Sequence, residues 1–233
     1  MGVLTKRRTG APERATQRMV WQCASLLLDY PDETQRSRLD DVRAMLAVLG
    51  EEGRGLEVLA GHLADAPLTD LQTAYVETFD QRRRCNLFLT YFAHGDTRKR
   101  GTALLRFKQT YLAAGVEPDD RELPDHLCMV LEFAATVDAD AGLRLLTDHR
   151  ASLEMLRISL RDAESPWAAA VEAVCATLPP LRGEEHDAVL RLIAEGPPAE
   201  EVGLAPYGGP AFDALLAERR GPVDLPMPEV LPR

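Results

Sequence analysis

The spacing of apolar residues predicts α-helices along most of the chain. Between 20 and 27, apolar side chains recur every three or four residues, which is the repeat of one helix face. Leu71, Tyr75 and Phe79 form a second stripe at fourfold spacing. The remaining predicted helices span 32–49, 56–63, 97–115, 124–134, 141–160, 167–178 and 184–195. The pattern therefore indicates a protein built from helices that pack along apolar faces.

The pattern is less regular between 80 and 97. Three consecutive arginines, Arg82, Arg83 and Arg84, precede an apolar stretch at 87–92. We predict a helix here, and a short strand stays open as an alternative, because a short apolar run fits both repeats. Pro124 suits the first turn of a helix, so the next helix is predicted to begin there.

Composition agrees with this pattern and indicates the domain organisation. Of the 233 residues, 45% are hydrophobic and only 6% aromatic, and residues that favour helices dominate most segments. We predict an all-α fold, a single globular bundle of about eight to ten helices. The predicted parts are a flexible segment at 1–13, a helical domain at 14–196, and a largely irregular extension rich in Pro and Gly at 197–233.

Charge and hydropathy argue against several classes of protein. The formal net charge is −10, so the overall field repels phosphate backbones and argues against nucleic acid as a partner. The apolar runs fall far short of the ~20 residues that span a bilayer, so we expect no stable membrane insertion. Arg7 and Arg8 are followed by polar residues where an export signal needs an apolar stretch. The four cysteines form no C-x-x-C pair, so we expect a soluble protein of the reducing cytoplasm.

Patterns typical of catalysis and cofactor binding are mostly absent from the sequence, which argues against an enzyme without excluding one. It has no phosphate-binding glycine loop, no dinucleotide fingerprint, no nucleophile elbow and no H-E-x-x-H helix. A structural zinc site uses about four ligands at suitable spacings, and the histidines and cysteines form no such local group. We therefore predict no enzymatic activity, no metal site and no retained cofactor.

Charged and aromatic residues are concentrated between 75 and 132. In one interpretation, the arginines at 82–84 and 98–100 cover solvated helix faces and Asp125 caps a helix. In the other, the segment forms a groove with an apolar floor and a charged rim. Asp125 and His126 favour the groove, because an acid and an imidazole beside a proline form a stiff polar hinge between helices.

Three stretches in this sequence resemble one known family. They are 26–32 (Leu-Leu-Leu-Asp-Tyr-Pro-Asp), the segment from Tyr75 to the run at 94–101 (His-Gly-Asp-Thr-Arg-Lys-Arg-Gly), and 122–127 (Glu-Leu-Pro-Asp-His-Leu). In this order and at this separation, they resemble the NarJ/TorD family of redox-enzyme maturation chaperones. The resemblance extends from 14 to 180 and is greatest to the members that assemble nitrate reductase.

The resemblance implies a TorD-like helical fold and a chaperone without a catalytic centre. Such a protein holds the catalytic subunit of a respiratory nitrate reductase while the molybdenum cofactor, which the client carries, is inserted before membrane attachment. The expected contact is the N-terminal segment of that subunit. An acidic protein with an apolar groove suits a basic amphipathic peptide. We expect a monomer or a weak homodimer.

The resemblance also implies which residues act. The candidate contacts to a client peptide are Tyr75, Glu77, Phe79, Asp80, Leu87, Phe88, Tyr91, Phe107 and Glu132. The positions that match the family's motifs are His94, Gly95, Asp96, Arg98, Arg100, Pro124, Asp125 and His126. The expected floor consists of Leu87, Phe88, Tyr91 and Phe107, and the expected partners of client arginines are Glu77, Asp80, Asp125 and Glu132.

Three alternatives stay open at this point. The client could be another molybdenum reductase, because relatives that serve such enzymes share the motifs. The chain could bind or hydrolyse a nucleotide with Asp125 and His126 as an acid-base pair. It could also remain in the finished complex as a permanent helical subunit.

Overall fold

The computed structural model describes residues 11–94, 98–118 and 122–181, and beyond these only positions 183, 187, 189 and 191. The α-helices in this part of the chain are α1 (Ala11–Leu27), α2 (Glu33–Ser37), α3 (Leu39–Leu49), α4 (Arg54–Asp65), α5 (Leu68–Tyr75), α6 (Tyr91–His94), α7 (Arg98–Ala113), α8 (Leu127–Thr136), α9 (Ala139–Asp148), α10 (Arg150–Asp162) and α11 (Ala168–Ala176). A π-helical turn continues α5 at Val76–Asp80, and 3-10 turns occupy Gly50–Gly53 and Arg83–Cys85. Nine of these α-helices have at least eight residues, and the described residues form no strand, which confirms the predicted all-α fold.

Helix α1 lies at the centre of the packing. It contacts α3, α4, α8 and α11, while α8 also packs on α9, and α11 packs on α4 and α10. The predicted stripe from Val20 to Leu27 faces inward, and Trp21 beside it is fully buried. Burying a large apolar side chain contributes roughly 1.5–3 kcal/mol, so these contacts anchor α1 on several sides.

The stripe on α5 is also buried, as predicted. The Tyr75 hydroxyl donates to the carbonyl of Leu28 at 3.0 Å, and this bond joins α5 to the end of α1. The ring centroids of Tyr75 and Phe79 are 4.6 Å apart, and both rings pack at 5.5 Å from Trp167. This aromatic cluster connects α5 and its π-helical turn with the start of α11.

Two predicted helices are each divided in the structure. The helix predicted at 32–49 breaks at Arg38, between α2 and α3. The buried side chain of Gln35 donates to two carbonyls at the end of α1, which holds α2 as a separate short turn. The helix predicted at 141–160 breaks at His149 (φ −108°, ψ 24°), whose ring Nδ1 lies 2.9 Å from the carbonyl of Leu145. The backbone N–H of His149 donates to the same carbonyl at 3.3 Å, so both groups of His149 close the end of α9.

The prediction of a helix across 80–97 is wrong for most of that segment. After the π-helical turn and the 3-10 turn, the backbone runs without helix from 86 to 90, and only the four residues of α6 are α-helical before 95. The helix predicted to begin at Pro124 begins instead at Leu127. Both differences have one cause, which is that 86–90 and 123–127 bond to each other.

Several expectations fall at the limits of the described part. Helix α1 begins at Ala11, inside the segment predicted to be flexible. The predicted helix at 184–195 lies outside the described residues except for single positions, and the extension at 197–233 lies outside them completely. Within the described residues, no helix combines the length and apolar character that crossing a bilayer requires.

Candidate functional site

Two irregular segments, 86–90 and 123–127, meet in what we call the junction. Their backbones form one antiparallel bridge between Phe88 and His126. The N–H of Leu89 donates to the carbonyl of Asp125 at 3.1 Å, and the N–H of Leu127 donates to the carbonyl of Leu87 at 2.9 Å. The junction therefore fixes the start of α8 against a segment that lies more than thirty residues earlier in the chain.

Asp125 is the polar centre of the junction. It is 0% exposed, and its Oδ2 accepts from the N–H of Thr90 at 3.0 Å and from Thr90 Oγ1 at 2.6 Å. The guanidinium of Arg100 lies 3.9 Å from the same oxygen, and Arg100 Nε donates to Thr90 Oγ1 at 3.2 Å. These contacts favour a structural role over acid-base catalysis, because the carboxylate is held inside the protein.

Arg100 extends this network over two aromatic rings. Its guanidinium carbon lies 5.4 Å from the ring centroid of Phe88 and 5.8 Å from that of Tyr91. These distances are within the range of a cation–π contact. The Tyr91 hydroxyl also accepts from Arg83 Nε at 2.9 Å. Arg100, one of the arginines of the family motif, thus connects α7 with the junction.

His126 sits at the edge of the junction, with its ring centroid 5.1 Å from that of Phe88. Burial lowers the pKa of His126 below its ordinary value and is the largest influence on it. The carboxylates of Glu122, Asp125 and Asp29 act in the opposite direction. The net lowering favours a neutral imidazole near pH 7.

Four exposed carboxylates surround this corner of the molecule, and we call them the acidic surface. They come from different segments and are Asp29, Asp80, Glu122 and Glu132. Burial is the main reason that the pKa of Cys128 is raised, and three of these carboxylates raise it further. Burial likewise raises the pKa of Tyr75, and three of the four add to that shift. Each of the four carboxylates therefore acts on Tyr75, on Cys128 or on both.

Apolar groups are exposed beside the acidic surface. Tyr30 is 43% exposed, and its ring lies edge-on to Tyr75 with the centroids 5.4 Å apart. Leu123, which precedes the junction, is 40% exposed. The corner thus combines negative charge with exposed apolar side chains.

The predicted contact residues divide into two groups in the structure. Five of them are buried core residues, namely Tyr75, Phe79, Leu87, Tyr91 and Phe107. Periodicity identifies a buried face without saying what covers it, so core and groove floor give the same pattern. Glu77, Asp80 and Glu132 are exposed, and Phe88 is half-buried. In this conformation, only the second group is open to a peptide, and its contact with one stays a prediction.

The family-motif positions are only partly brought together. Arg100, Asp125 and His126 meet at the junction, and the carbonyl of Pro124 accepts from the Tyr111 hydroxyl at 2.7 Å. His94 ends α6 and Arg98 begins α7. Gly95 and Asp96 lie outside the described residues. The expectation that Asp125 pairs with a client arginine is wrong for this conformation, because Thr90 occupies its buried carboxylate.

Sequence reasoning missed three residues of this corner as site residues. Thr90 is an isolated hydroxyl in an apolar run, and that contrast was the available signal for a buried hydrogen bond. Asp29 lies in the first family stretch, and the sequence there gives no sign that its carboxylate joins others from distant segments. Cys128 had no signal, because its role depends on helix packing.

Metal binding and thiol chemistry find no support in the described residues. No group of three or more His, Cys, Asp or Glu side chains in this part of the chain is placed to hold a metal ion. Burial raises the pKa of Cys23 to about 11 and that of Cys175 to about 12. Both are therefore neutral thiols near pH 7, which are poor nucleophiles and poor metal ligands.

Known proteins match most of this chain. A family model described as the nitrate reductase delta subunit matches residues 34–173. The nitrate reductase-like protein NarX of Mycobacterium tuberculosis is 46% identical over 159 residues, which are 68% of this chain and 24% of NarX. The chain therefore spans about a quarter of that relative's length.

Shorter relatives match over a larger share of their own length. The probable nitrate reductase molybdenum cofactor assembly chaperone NarJ of Bacillus subtilis is 32% identical over 164 residues, covering 70% of this chain and 89% of that protein. The assembly chaperone NarJ of Escherichia coli is 31% identical over 148 residues, covering 62% and 63%.

A solved structure supports the fold. The crystal structure of a putative redox enzyme maturation protein from Archaeoglobus fulgidus superposes with a TM-score of 0.53 at 24% identity, covering 68% of this chain and 91% of that one. At this identity the likeness concerns the fold alone. Together with the family match, it confirms the resemblance that the three sequence stretches indicated, and this chain belongs to the nitrate reductase delta subunit family.

Proposed function

We propose that this chain is an assembly chaperone for a molybdenum-dependent nitrate reductase and that it holds the N-terminal segment of the catalytic subunit. The relatives from Bacillus subtilis and Escherichia coli are named as chaperones of this kind, and the chain covers most of the former. The observation that carries the peptide-binding part of the proposal is the acidic surface beside exposed Tyr30 and Leu123.

The charges of the acidic surface are available to a ligand. Within the described part of the chain, none of its four carboxylates forms an ion pair; Asp29 and Glu122 accept only from the backbone N–H of the next residue. An exposed charge pair at contact is worth roughly 1 kcal/mol in water. Several pairs together would select a basic segment and orient it without binding it irreversibly.

Apolar contact with Tyr30, Leu123 and the half-buried Phe88 would supply the rest of the affinity. Burying about 500 Å² of apolar surface contributes roughly 12 kcal/mol at about 25 cal/mol per Å². Association costs of about 4–15 kcal/mol remove much of this gain. The complex would therefore be moderate in affinity and able to dissociate, as an assembly chaperone requires.

The proposed role needs no chemistry from this chain. Asp125, which an acid-base mechanism would use, is fully buried and bonded to Thr90. The molybdenum cofactor belongs to the client, and the chaperone retains none. We place this activity in the cytoplasm, before the reductase attaches to the membrane.

Calorimetry with a synthetic peptide tests this proposal. The peptide carries the N-terminal residues of the catalytic subunit of the nitrate reductase from the same organism. We expect a dissociation constant in the micromolar range for the wild-type chain, which corresponds to roughly −8 kcal/mol. The variant Asp80→Lys/Glu132→Lys should bind about tenfold more weakly at low salt, and the loss should shrink at high salt because the charges are exposed.

A matched variant separates the site from net charge. Glu57→Lys/Asp65→Lys makes the same change in charge on exposed positions of α4. It should lower affinity by less than about twofold. No heat with the wild-type chain at tens of micromolar would defeat the proposal, and an equal loss in both variants would show that only net charge matters.

A further inference from the structure

Helix α7 differs in charge from the rest of the protein. Its sixteen residues include five basic residues and no acidic one, whereas the whole chain has a net charge of −10. Arg100 near its start is used by the junction. In the second half of α7, Tyr111 also contacts the junction by donating to the carbonyl of Pro124, whereas Arg106 is exposed.

The second half of α7 turns its apolar residues in two directions. Phe107 and Tyr111 are buried in the core. Leu105 and Leu112, seven residues apart, are 57% and 50% exposed. Because successive helix residues rotate by about 100°, these two leucines lie on one line along the outer side of α7. An exposed apolar line on an otherwise charged helix is a common mark of a docking surface.

A shallow cavity of about 420 Å³ lies against the second half of α7, and Arg106 and Gln109, rather than the two leucines, line it. Its walls are formed by the second half of α7 with the turn that follows, and by α9 and its N-cap; the lining includes Arg106, Gln109, Ala113, Asp138, Ala141 and Arg144. We call Leu105, Arg106, Gln109, Leu112 and Arg144 together the basic face.

The two arginines of the basic face are available to a ligand. Within the described residues, the guanidiniums of Arg106 and Arg144 form no hydrogen bond and no ion pair. Arg144 helps to lower the pKa of Asp140, but the direct partner of that carboxylate is Arg14 at 2.5 Å. Asp138, the acid in the cavity wall, already accepts from the N–H groups of Asp140 and Ala141 as the N-cap of α9. The cavity therefore offers two guanidiniums from two helices and a carboxylate that is already engaged.

We propose that the basic face is a docking site for an acidic amphipathic helix of a partner protein. Leucine-sized side chains of the partner would pack along Leu105 and Leu112, and its carboxylates would meet Arg106 and Arg144. Guanidiniums bind carboxylates through two parallel hydrogen bonds, which gives geometric selectivity as well as attraction. This site has the opposite charge to the acidic surface, so the two surfaces take different ligands and the inference does not depend on the client peptide.

An acidic helix fits better than the other anionic partners. The net charge of −10 repels a membrane or nucleic acid, whose charges extend far beyond one contact. The cavity is concave, so it suits a ridge of side chains rather than a flat lipid surface. A single acidic segment needs attraction only at two arginines, and this the basic face provides.

Fluorescence anisotropy with a designed probe tests the inference. The probe is a labelled, hydrocarbon-stapled helical peptide of about five turns, with leucines on one face and glutamates on the other. We expect it to bind the full chain with a dissociation constant of roughly 10 µM. The affinity for a matched peptide with lysine in place of glutamate should not depend on the basic face.

Two double variants locate the site. Arg106→Glu/Arg144→Glu should weaken binding of the acidic peptide by at least about tenfold, and Leu105→Ser/Leu112→Ser should weaken it by about fivefold. Arg38→Glu/Arg54→Glu makes the same charge change at exposed positions elsewhere and should change the affinity by less than about twofold. Circular dichroism must show unchanged helix content in each variant.

Results of three kinds would overturn the inference. The first is no binding of the acidic peptide at about 100 µM, or an equal loss of affinity in the control variant. The second is binding to vesicles of phosphatidylcholine and phosphatidylglycerol that Arg106→Glu/Arg144→Glu abolishes, because the partner would then be a membrane. The third is self-association in analytical ultracentrifugation that the same variant abolishes, because the occupant would then be a second copy of the chain.

Discussion

The acidic surface and the basic face are built differently from one helical chain. The carboxylates of the acidic surface come from the bend after α1, a π-helical turn, the approach to the junction and α8. The basic face consists of one side of α7 and a single arginine from α9. The first surface therefore depends on contacts between distant segments, whereas the second depends mainly on the repeat of one helix.

The two surfaces are therefore stabilised by different contacts. The junction holds the acidic surface together through Asp125, Thr90 and the backbone bonds between its two segments. The basic face depends on the crossing of α8 and α9, because that crossing sets the position of Arg144 relative to α7. Damage to one support should therefore affect one surface more than the other.

The largest expected effect is at Asp125. Asp125→Ala removes the buried acceptor of Thr90 and the carboxylate that lies 3.9 Å from the guanidinium of Arg100. Breaking a buried pair of this kind costs about 3–5 kcal/mol of unfolding free energy. Asp125→Asn should cost about half as much, because the amide oxygen still accepts from Thr90. Urea denaturation of both variants measures the difference, and equal values would show that the hydrogen bonds of Asp125 do not matter.

The crossing of α8 and α9 gives the next largest effect. A Cβ atom added at Gly142 would lie 2.2 Å from the Cβ and 2.5 Å from the Cα of Ala134, so the two helices must separate. Gly142→Ala should lower the unfolding free energy by about 2–3 kcal/mol. A Cβ atom added at Gly61 on α4 would have no neighbour within 4 Å. Gly61→Ala should therefore raise the unfolding free energy by about 0.5–1 kcal/mol. Thermal denaturation compares the two variants. An unchanged unfolding free energy for Gly142→Ala would show that α8 and α9 accommodate the added methyl group.

His126 gives the smallest effect on stability, and it depends on pH. Its pKa is lower in the folded state than in the unfolded state, so folding favours the neutral imidazole. The contribution of His126 is therefore present above its unfolded pKa of about 6.5 and is lost as the pH falls below that value. His126→Gln should reduce the fall in stability between about pH 6.5 and pH 5. Identical profiles for the wild-type chain and His126→Gln would contradict the assignment.

The sequence predicted the helical parts of the molecule better than the junction. The stripes at 20–27 and at Leu71, Tyr75 and Phe79 repeat every three to four residues, and their burial followed directly. The run at 87–92 has no such repeat, and its structure depends on a partner segment near Asp125. No local pattern encodes that pairing, which is why a helix was predicted there.

The candidate site shows the same limit. Arg100, Asp125 and His126 were predicted as site residues and do meet, but Asp125 was expected at a rim and lies in the interior. The aromatic residues expected in a groove floor, such as Phe107, are core. Composition alone gave the sign of the net charge, yet it could not show that opposite charges collect on separate surfaces.

The proposed function rests on one contact, the binding of the client's N-terminal segment at the acidic surface. Its most direct test is the calorimetric titration of the client peptide against two charge-reversed chains, Asp80→Lys/Glu132→Lys and Arg106→Glu/Arg144→Glu. We predict about tenfold weaker binding for the first variant and unchanged or slightly tighter binding for the second, because only the first removes charge from the acidic surface. Unchanged affinity in the first variant, or a greater loss in the second, would contradict the claim.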